Sequence, residues 1–196
     1  MQGLSIDNSW LAQARWLVSP NQDARPPNAA VDTLVVHGIT LPPGRFGRGQ
    51  VDALFTNTLD ISRDPFYREI AHLRVSAHVL IERTGAITQY VGFDARAWHA
   101  GESAFDGRTR VNDFAVGIEL EGTDDCPYTP AQYRTLAGAS AALLDAYPEL
   151  TRERIVGHSD IAPQRKTDPG PAFDWVLFFD LLERATEKPI ALIFGS

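Results

Sequence analysis

The sequence predicts a single α/β domain with a mixed central β-sheet flanked by helices. Short apolar runs typical of buried strands alternate along the chain with longer stretches that have helical periodicity. A length of 196 residues is enough for one substantial core and short for two. The chain shows no internal repeat and no linker-like segment. We therefore expect residues 1–196 to form one domain with a core at about 16–185.

The composition is that of an acidic globular protein. Hydrophobic residues make up 44% of the chain and charged residues 22%. A net charge of −7 argues against nucleic acid or an anionic membrane as the partner. Cys126 is the single cysteine, so no intrachain disulfide can form. The chain shows no signal-peptide pattern and no apolar run of membrane-spanning length, so we expect a cytoplasmic protein. We also expect it to be a monomer.

The first predicted strand is the apolar run Thr33 to His37, which follows a proline-rich polar loop. A helical turn is expected over Val51 to Asn57. Asp64 followed by Pro65 is typical of an N-cap with proline at the first helical position. This pair predicts a short helix that ends near Ala71.

A β-hairpin is predicted next, with strands at Val75 to Glu82 and Ala86 to Val91 and a turn at Arg83 to Gly85. Alternation in its first strand separates two sets of side chains onto opposite faces. The sets are Arg74, Ser76 and His78 on one face, and Val75, Ala77 and Val79 on the other. The following segment, Gly92 to Asn112, is long for a connection, and such loops in compact domains are usually functional or mobile.

The clearest strand is Phe114 to Glu121. Its alternation places Ala115, Gly117, Glu119 and Glu121 on one face and Val116, Ile118 and Leu120 on the other. A second short apolar run, Arg154 to Val156, also predicts a buried strand.

Two long helices are predicted in the second half of the chain. Thr129 and Pro130 begin the longer one, which ends before Pro148. Its mostly apolar stripe consists of Leu136, Ser140, Leu143, Leu144 and Tyr147. The last helix covers about Trp175 to Ala185, with Trp175, Val176, Phe179 and Leu182 at helical spacing.

Two histidines and a carboxylate suggest a metal site. His37 and His158 each lie at the C-terminal end of a predicted apolar strand, where open α/β sheets place their ligand sites. Asp168 lies on the next loop before Pro169, which favours an extended backbone, so Lys166 and Asp168 project to the same side. Two histidines, one carboxylate and a position left to water form the composition of a catalytic zinc site. On spacing alone, an ordinary charged surface loop is an equally good interpretation.

The remaining histidines leave the third ligand open at this point. His78 and His99 are rivals of Asp168, and their pattern excludes neither. A single buried histidine is more often a hydrogen-bonded core residue than a ligand. His72 follows a helix stripe and is assigned a structural role.

Glu119 lies in the middle of a strongly apolar strand, where an unpaired carboxylate is costly to bury. It either pairs with an arginine or faces a cleft as a general base. Glu121 on the same face favours the cleft, because two adjacent buried carboxylates would cost more.

Other polar residues are weaker candidates. Arg74 and Arg110 could hold substrate carboxylates, although solvated surface arginines are common. Trp98 could stack on a sugar, or it could simply close the core. Cys126 precedes Pro127 in a loop and is interpreted as filler, not as a nucleophile.

Five runs of the chain, in order, resemble the AmpD amidases, which belong to the zinc amidase group that includes peptidoglycan recognition proteins. The resemblance extends from about Trp16 to Trp175, and its motifs are together highly specific. The runs are Val35 to Gly44, Ala71 to His78, Ala97 to Gly101, Gly117 to Gly122 and Gly157 to Pro171.

The resemblance implies a zinc hydrolase that cuts the amide between the lactyl group of 1,6-anhydro-N-acetylmuramic acid and L-alanine, in cytoplasmic recycling of muropeptides. The substrate would be a small anhydromuropeptide. The implied site residues are zinc ligands His37, His158 and Asp168, proton acceptor Glu119, oxyanion-stabilising Lys166, and substrate contacts Arg74 and Arg110. Trp98 stays a candidate substrate contact from its residue type alone.

Two small residues follow the implied ligands. Gly38 replaces the asparagine that is common in this family, which removes a side-chain amide at the mouth of the site. Ser159 stands where a small residue also follows the second histidine.

Two other classes of function compete with the amidase. A module that binds peptidoglycan fragments without cutting them predicts loss of a ligand or of the base. The residues implied for catalysis are all present, namely His37, His158, Asp168, Glu119 and Lys166. A regulatory protein with a purely structural metal needs a closed shell of four ligands, and the matched positions offer three.

Overall fold

The computed structural model describes residues 3–47 and 49–187. The strands are β1 (Ile6–Asp7), β2 (Trp10–Leu11), β3 (Arg15–Trp16), β4 (Gln22–Ala24), β5 (Thr33–Ile39), β6 (Val79–Ile81), β7 (Ile87–Gln89), β8 (Ala95–Ala97), β9 (Ala104–Phe105), β10 (Arg108–Thr109), β11 (Ala115–Glu121) and β12 (Ile155–Gly157). The helices are α1 (Gln50–Phe55), α2 (Pro65–Ile70), α3 (Pro130–Ala146), α4 (His158–Ile161) and α5 (Trp175–Thr186).

A six-stranded mixed sheet with the order β12-β5-β11-β6-β7-β3 organises the fold. The neighbours from β12 to β6 are parallel, β7 runs antiparallel to β6, and β3 is parallel to β7. Three two-stranded ribbons, β1–β2, β4–β8 and β9–β10, lie outside it. The predicted fold class, an α/β domain built on a mixed sheet, is confirmed.

One face of the sheet packs against α3 and α5. Val116, Ile118 and Leu120 of β11 join side chains of these two helices, including Leu136 and Phe178, in one buried cluster. Burial of this apolar surface is the main stabilising term for the fold. The predicted alternation of β11 is therefore what the structure shows.

The start of α3 follows from its sequence. The Thr129 hydroxyl accepts a hydrogen bond from Gln132 N, and the Gln132 side chain accepts one from Thr129 N, which forms a capping box. Pro130 occupies the first turn, where its missing N–H is not needed. The predicted helix between Thr129 and Tyr147 is confirmed.

The opposite face of the sheet carries apolar side chains at its two sides. Val35 and Ala115 belong to one buried cluster on this face, and Leu80 of β6 belongs to another that includes residues of α1 and α2. Because side chains alternate along a strand, His37 and Glu119 project to this same face. His37 and Glu119 thus lie between two apolar clusters, one that includes residues of α1 and α2 and one that includes Ile161 of α4.

Two local predictions were wrong in part. The first hairpin strand begins at Val79, and residues 75–78 are not strand, although His78 N still donates to Gly117 O at 3.0 Å. Residues 76–79 are all buried, so alternation could not separate the two predicted faces over this part of the segment. In α5, Val176 is 73% exposed, and Phe178 takes the buried position instead.

Candidate active site

The site forms where β5, β11 and the start of α4 meet. His37 of β5 and Glu119 of β11 are register partners, so their side chains lie beside each other on one face. His158 is the first residue of α4 and directly follows β12, which pairs with β5 on its other side. The loop after α4 returns Asp168 to the same place. The parallel sheet therefore supplies two positions directly, and a loop supplies the third.

Three potential metal ligands converge here. The Nδ1 atoms of His37 and His158 are 2.9 Å apart, and Asp168 Oδ2 lies 3.4 Å from the first and 3.0 Å from the second. Zinc bound at about 2.0–2.1 Å by tetrahedral ligands would hold those ligands about 3.3 Å apart. The three atoms are thus already near ligand spacing, and their chemistry is the one that zinc prefers. Among the histidine, cysteine and carboxylate side chains of residues 3–47 and 49–187, these three form a group that could hold a metal ion.

The other ring nitrogens of the two histidines face away from this cluster. His37 Nε2 lies 2.9 Å from His99 Nδ1, and His158 Nε2 lies 3.3 Å from Ala100 O. Partners of this kind hold a metal-binding imidazole in one tautomer and orientation. Gly38 N donates to Asp168 Oδ2 at 3.3 Å and helps to hold the carboxylate.

Burial and mutual contacts shift the ionisation of the cluster. Burial lowers the pKa of His37 from 6.5 to about 4, against the raising effect of its hydrogen bond with Asp168. For Asp168, burial acts to raise the pKa, but the hydrogen bonds from His158 and His37 lower it well below its usual value. A neutral His37 and an ionised Asp168 are the protonation states in which these two groups bind metal.

Glu119 is buried without a partner. Its side chain is 9% exposed, and its Oε2 has no hydrogen-bond partner among the described residues. Burial first, and then the negative charge of Asp168, raise the pKa of Glu119 well above its ordinary value, while Lys166 acts in the opposite direction. A carboxyl group kept basic beside a candidate metal site is suited to accept a proton. The alternative was that Glu119 forms a structural ion pair with an arginine. Among the described residues its buried Oε2 has no such partner.

Lys166 lies on the loop between α4 and Asp168. The side chain is half-buried, and its backbone N–H donates to Ala162 O at 2.9 Å. Its positive charge acts on both His37 and Glu119. The loop therefore brings the charge of Lys166 near His37 and Glu119.

Glu121 differs from the expectation that it faces an open cleft. It is 7% exposed, and its two carboxylate oxygens accept hydrogen bonds from the backbone N–H groups of Gly47 and Arg83. These bonds offset the cost of burying the charge. Glu121 thus holds two loops at the end of β11 and leaves Glu119 as the free carboxylate of this face.

The structure does not join Arg74 or Arg110 to the cluster. The Arg74 guanidinium donates to Ala71 O at 3.1 Å, and Arg110, 70% exposed, forms a 3.0 Å ion pair with Asp113. Arg110 also has a φ of 61°, in the left-handed region that non-glycine residues seldom adopt. Trp98 is half-buried, and its carbonyl accepts from Ser76 N.

The two small residues after the histidines lie next to the ligands. Ser159 N donates to the backbone carbonyl of Asp168 at 2.9 Å, which fastens the loop to α4. Gly38 leaves the space that Tyr128 fills, because a Cβ atom there would overlap the Tyr128 hydroxyl. That hydroxyl donates to Pro169 O at 3.0 Å. Sequence reasoning missed Tyr128, which carries no motif of its own.

The other histidines lie outside the ligand cluster in the structure. His99 contacts the far side of the His37 ring, and His78 Nδ1 accepts a hydrogen bond from Gly117 N at 3.0 Å. Burial lowers the pKa of both well below the usual value. His72, assigned a structural role from its sequence position, is exposed.

Comparison with known proteins identifies the family. The model of the family described as N-acetylmuramoyl-L-alanine amidase matches residues 27–171, which contain the whole candidate site. The chain belongs to the N-acetylmuramoyl-L-alanine amidase family. It is an enzyme that hydrolyses amide bonds, and the predicted resemblance to AmpD is confirmed by the following relatives.

The amidase is similar to AmpD proteins over nearly its whole length. The 1,6-anhydro-N-acetylmuramyl-L-alanine amidase AmpD of Escherichia coli strain K12 is 56% identical over 181 residues, which are 92% of this chain and 98% of that protein. A crystal structure of a selenomethionine AmpD derivative has 55% identity and a TM-score of 0.88, covering 90% of this chain and 98% of the other.

A more distant structure contains a ligand. The E. coli N-acetylmuramyl-L-alanine amidase AmiD, in complex with the substrate anhydro-N-acetylmuramic acid-L-Ala-D-γ-Glu-L-Lys, has 27% identity and a TM-score of 0.57. The match covers 92% of this amidase and 66% of AmiD. In the described part of the present amidase, no helix is long and apolar enough to cross a membrane.

Proposed function

We propose that this chain is a single zinc-dependent amidase domain that cuts the amide bond between the lactyl group of 1,6-anhydro-N-acetylmuramic acid and L-alanine. The observation that carries the proposal is the convergence of His37, His158 and Asp168 beside the unpartnered carboxylate of Glu119. The identity of 56% with the E. coli AmpD supports the anhydromuropeptide substrate.

The metal would be held by His37 Nδ1, His158 Nδ1 and Asp168 Oδ2. Three protein ligands leave a coordination position for water or substrate, which is the arrangement of catalytic zinc sites and not of closed structural ones. When bound, zinc supplies Lewis-acid chemistry, because it polarises a carbonyl and lowers the pKa of water to about 7.

Glu119 would move the proton. Its Oε2 is buried, free of hydrogen bonds within the described chain, and adjacent in register to His37. In this proposal it takes a proton from the attacking water and passes it to the nitrogen of the leaving L-alanine. The raised pKa of Glu119 favours this role, because the carboxylate must keep the proton taken from water until it passes that proton to the leaving amine.

Lys166 would act on the oxygen that becomes negative during attack. Its ammonium group is repelled by a metal ion in the resting site and is attracted to an anion formed between them. An interaction that strengthens in the transition state raises kcat more than it improves substrate binding. The buried environment around His37 makes such a charge effect stronger than in water.

The remaining predicted residues would contact the substrate. Gly38 and Ser159 lie beside the ligands, and we assign both to the edge of the substrate site. Arg74 and Arg110 are exposed cations that could receive carboxylates of the stem peptide, and Trp98 could pack on the sugar. We also propose that the enzyme is a cytoplasmic monomer that acts on soluble fragments released during wall recycling.

Incubation with a purified anhydromuropeptide, followed by mass spectrometry of the products, tests the proposal. We expect free stem peptide and the anhydro-sugar, formed much faster than peptide is released from whole sacculi. Asp168→Ala, which lacks a proposed ligand, is the control for contaminating activity. Equal rates on fragments and on sacculi would contradict the recycling role, and cleavage at another bond would contradict the reaction.

A further inference from the structure

His99 is a half-buried histidine that the proposed chemistry does not use. Its Nδ1 lies 2.9 Å from His37 Nε2, and its Nε2 is buried with no hydrogen-bond partner among the described residues. A phenylalanine of similar shape would avoid the cost of that unpaired nitrogen. The unpaired Nε2 therefore lowers the stability of the fold. A histidine at this position is explained if its other nitrogen, Nδ1, has a function.

The contact between His99 Nδ1 and His37 Nε2 indicates what that function is. Either His37 Nε2 or His99 Nδ1 carries the proton that they share. If His37 carries it, His37 Nδ1 is left with a free lone pair that faces His158 and Asp168. If His99 carries it, a neutral His37 has its proton on Nδ1, in the middle of the ligand cluster. Only the first arrangement lets His37 bind a metal ion through Nδ1.

The ring of His99 is held firmly in place. It lies over Gly117, where a Cβ atom would come within 2.5 Å of the ring carbon Cγ. Asn112 Oδ1 accepts hydrogen bonds from the backbone N–H groups of His99 at 3.1 Å and of Ala100 at 2.8 Å. The carbonyl of Ala100 in turn lies 3.3 Å from His158 Nε2. One segment, fixed by one asparagine, thus contacts the outer nitrogens of both histidines of the cluster.

We infer that His99 is a positioning residue that accepts the Nε2 proton of His37 and so keeps His37 Nδ1 directed at the metal position. This inference rests on the proposed function, because it assigns His99 a role toward the proposed zinc. Asn112 acts one step further out by holding the backbone of residues 99 and 100. Partners of this kind typically change metal affinity by about 10–100-fold when they are removed.

Zinc affinity measured by competition with a coloured chelator tests the inference. His99→Phe keeps a ring over Gly117 but removes the acceptor, and we expect a dissociation constant about 10–100-fold higher. His99→Asn restores an acceptor oxygen near the position of Nδ1 and should recover most of the affinity. Thr129→Ala, which weakens the distant cap of α3, should bind zinc as the wild type does even though it melts at a lower temperature.

The outcomes separate this inference from the proposed function. A folded His99→Phe protein with wild-type zinc affinity overturns the inference, and so do equal losses in the Phe and Asn variants, because ring packing would then explain both. If His99→Phe does not fold, Asn112→Ala replaces it, and unchanged affinity there also overturns the inference. A wild-type protein that binds no zinc overturns the proposed function itself.

Discussion

Glu119 and His37 are register partners on the parallel strands β11 and β5. This one relationship places the proposed base beside a proposed metal ligand, at a spacing that hydrogen bonds of the sheet fix. Catalytic groups on adjacent strands are held more precisely than groups on loops. Asp168 and Lys166, which come from a loop, depend instead on contacts such as that between Ser159 N and the Asp168 carbonyl.

The first prediction concerns the metal ligand Asp168. We expect Asp168→Ala to lose most of its zinc and its activity and to remain folded, because the strands of the core do not depend on this loop. Metal analysis after gel filtration and circular dichroism measure the two effects. Asp160→Asn is the matched control, since Asp160 lies outside the ligand cluster and accepts a hydrogen bond from Gly157 N. Full zinc occupancy in Asp168→Ala would remove it from the ligand set.

The second prediction concerns Glu119. Glu119→Gln keeps the shape of the side chain and removes its ability to take a proton, so we expect activity to fall by roughly 10²–10⁴-fold. Zinc content should stay at the wild-type level. The melting temperature should stay the same or rise, because the variant no longer buries an ionisable group without a partner. A large drop in melting temperature with little loss of activity would instead indicate a structural role.

Local chemistry in the sequence predicted most of the fold that positions the site. The alternation of β11 and the Thr129 cap of α3 follow from nearest neighbours along the chain, and both are present. The first hairpin strand was predicted to begin at Val75, whereas it begins at Val79. Residues 76–79 are all buried, so this part of the chain has no polar face to mark where the strand starts. The role of Glu121 was also missed, since its partners are backbone N–H groups of distant loops.

The ligand cluster is less accessible to sequence reasoning. His37, His158 and Asp168 come from three parts of the chain, and their spacing matches no short motif. Bottom-up reasoning left His78 and His99 as rivals, and only the family resemblance favoured Asp168. In the structure His99 Nδ1 lies 2.9 Å from His37 Nε2, and His99 is outside the ligand group. A histidine can therefore contact a proposed ligand without being a ligand itself. That distinction depends on ring orientation, which no one-dimensional pattern encodes.

The third prediction is that the metal-free enzyme loses stability in mild acid. Burial holds the pKa of folded His37 at about 4, below its ordinary value of 6.5. Between these two values the unfolded chain binds a proton that the folded chain does not, so stability falls as the pH decreases through this window. The lowered pKa values of His78 and His99 act in the same direction.

Thermal melts of the metal-free protein from about pH 7 to about pH 4.5 measure this effect. We expect the melting temperature to decrease steadily over that range. Saturating zinc should raise the melting temperature at the upper end of the range, because zinc binds the folded state and requires neutral histidines. A melting temperature that is flat or rises on acidification would contradict the assignment of buried neutral histidines.

The last prediction concerns Lys166. Lysine is rare in this chain, where Lys166 and Lys188 are the only lysines among 18 lysines and arginines. A compact ammonium differs from the planar guanidinium in the way it approaches a single oxygen atom. The charge of Lys166 acts on both His37 and Glu119, so it would also act on an oxyanion formed beside them in the proposed reaction.

We therefore expect Lys166→Ala to lower kcat by about 10²–10³-fold and to leave KM nearly unchanged, since the lost interaction is one made in the transition state. Lys166→Met separates charge from side-chain length and should be impaired to a similar degree, whereas Lys166→Arg should recover only part of the rate. Steady-state kinetics on an anhydromuropeptide, with zinc content and thermal melts of each variant, measure these effects. A Lys166→Ala enzyme with near-normal kcat would take lysine out of the mechanism and leave oxyanion stabilisation to the metal site formed by His37, His158 and Asp168.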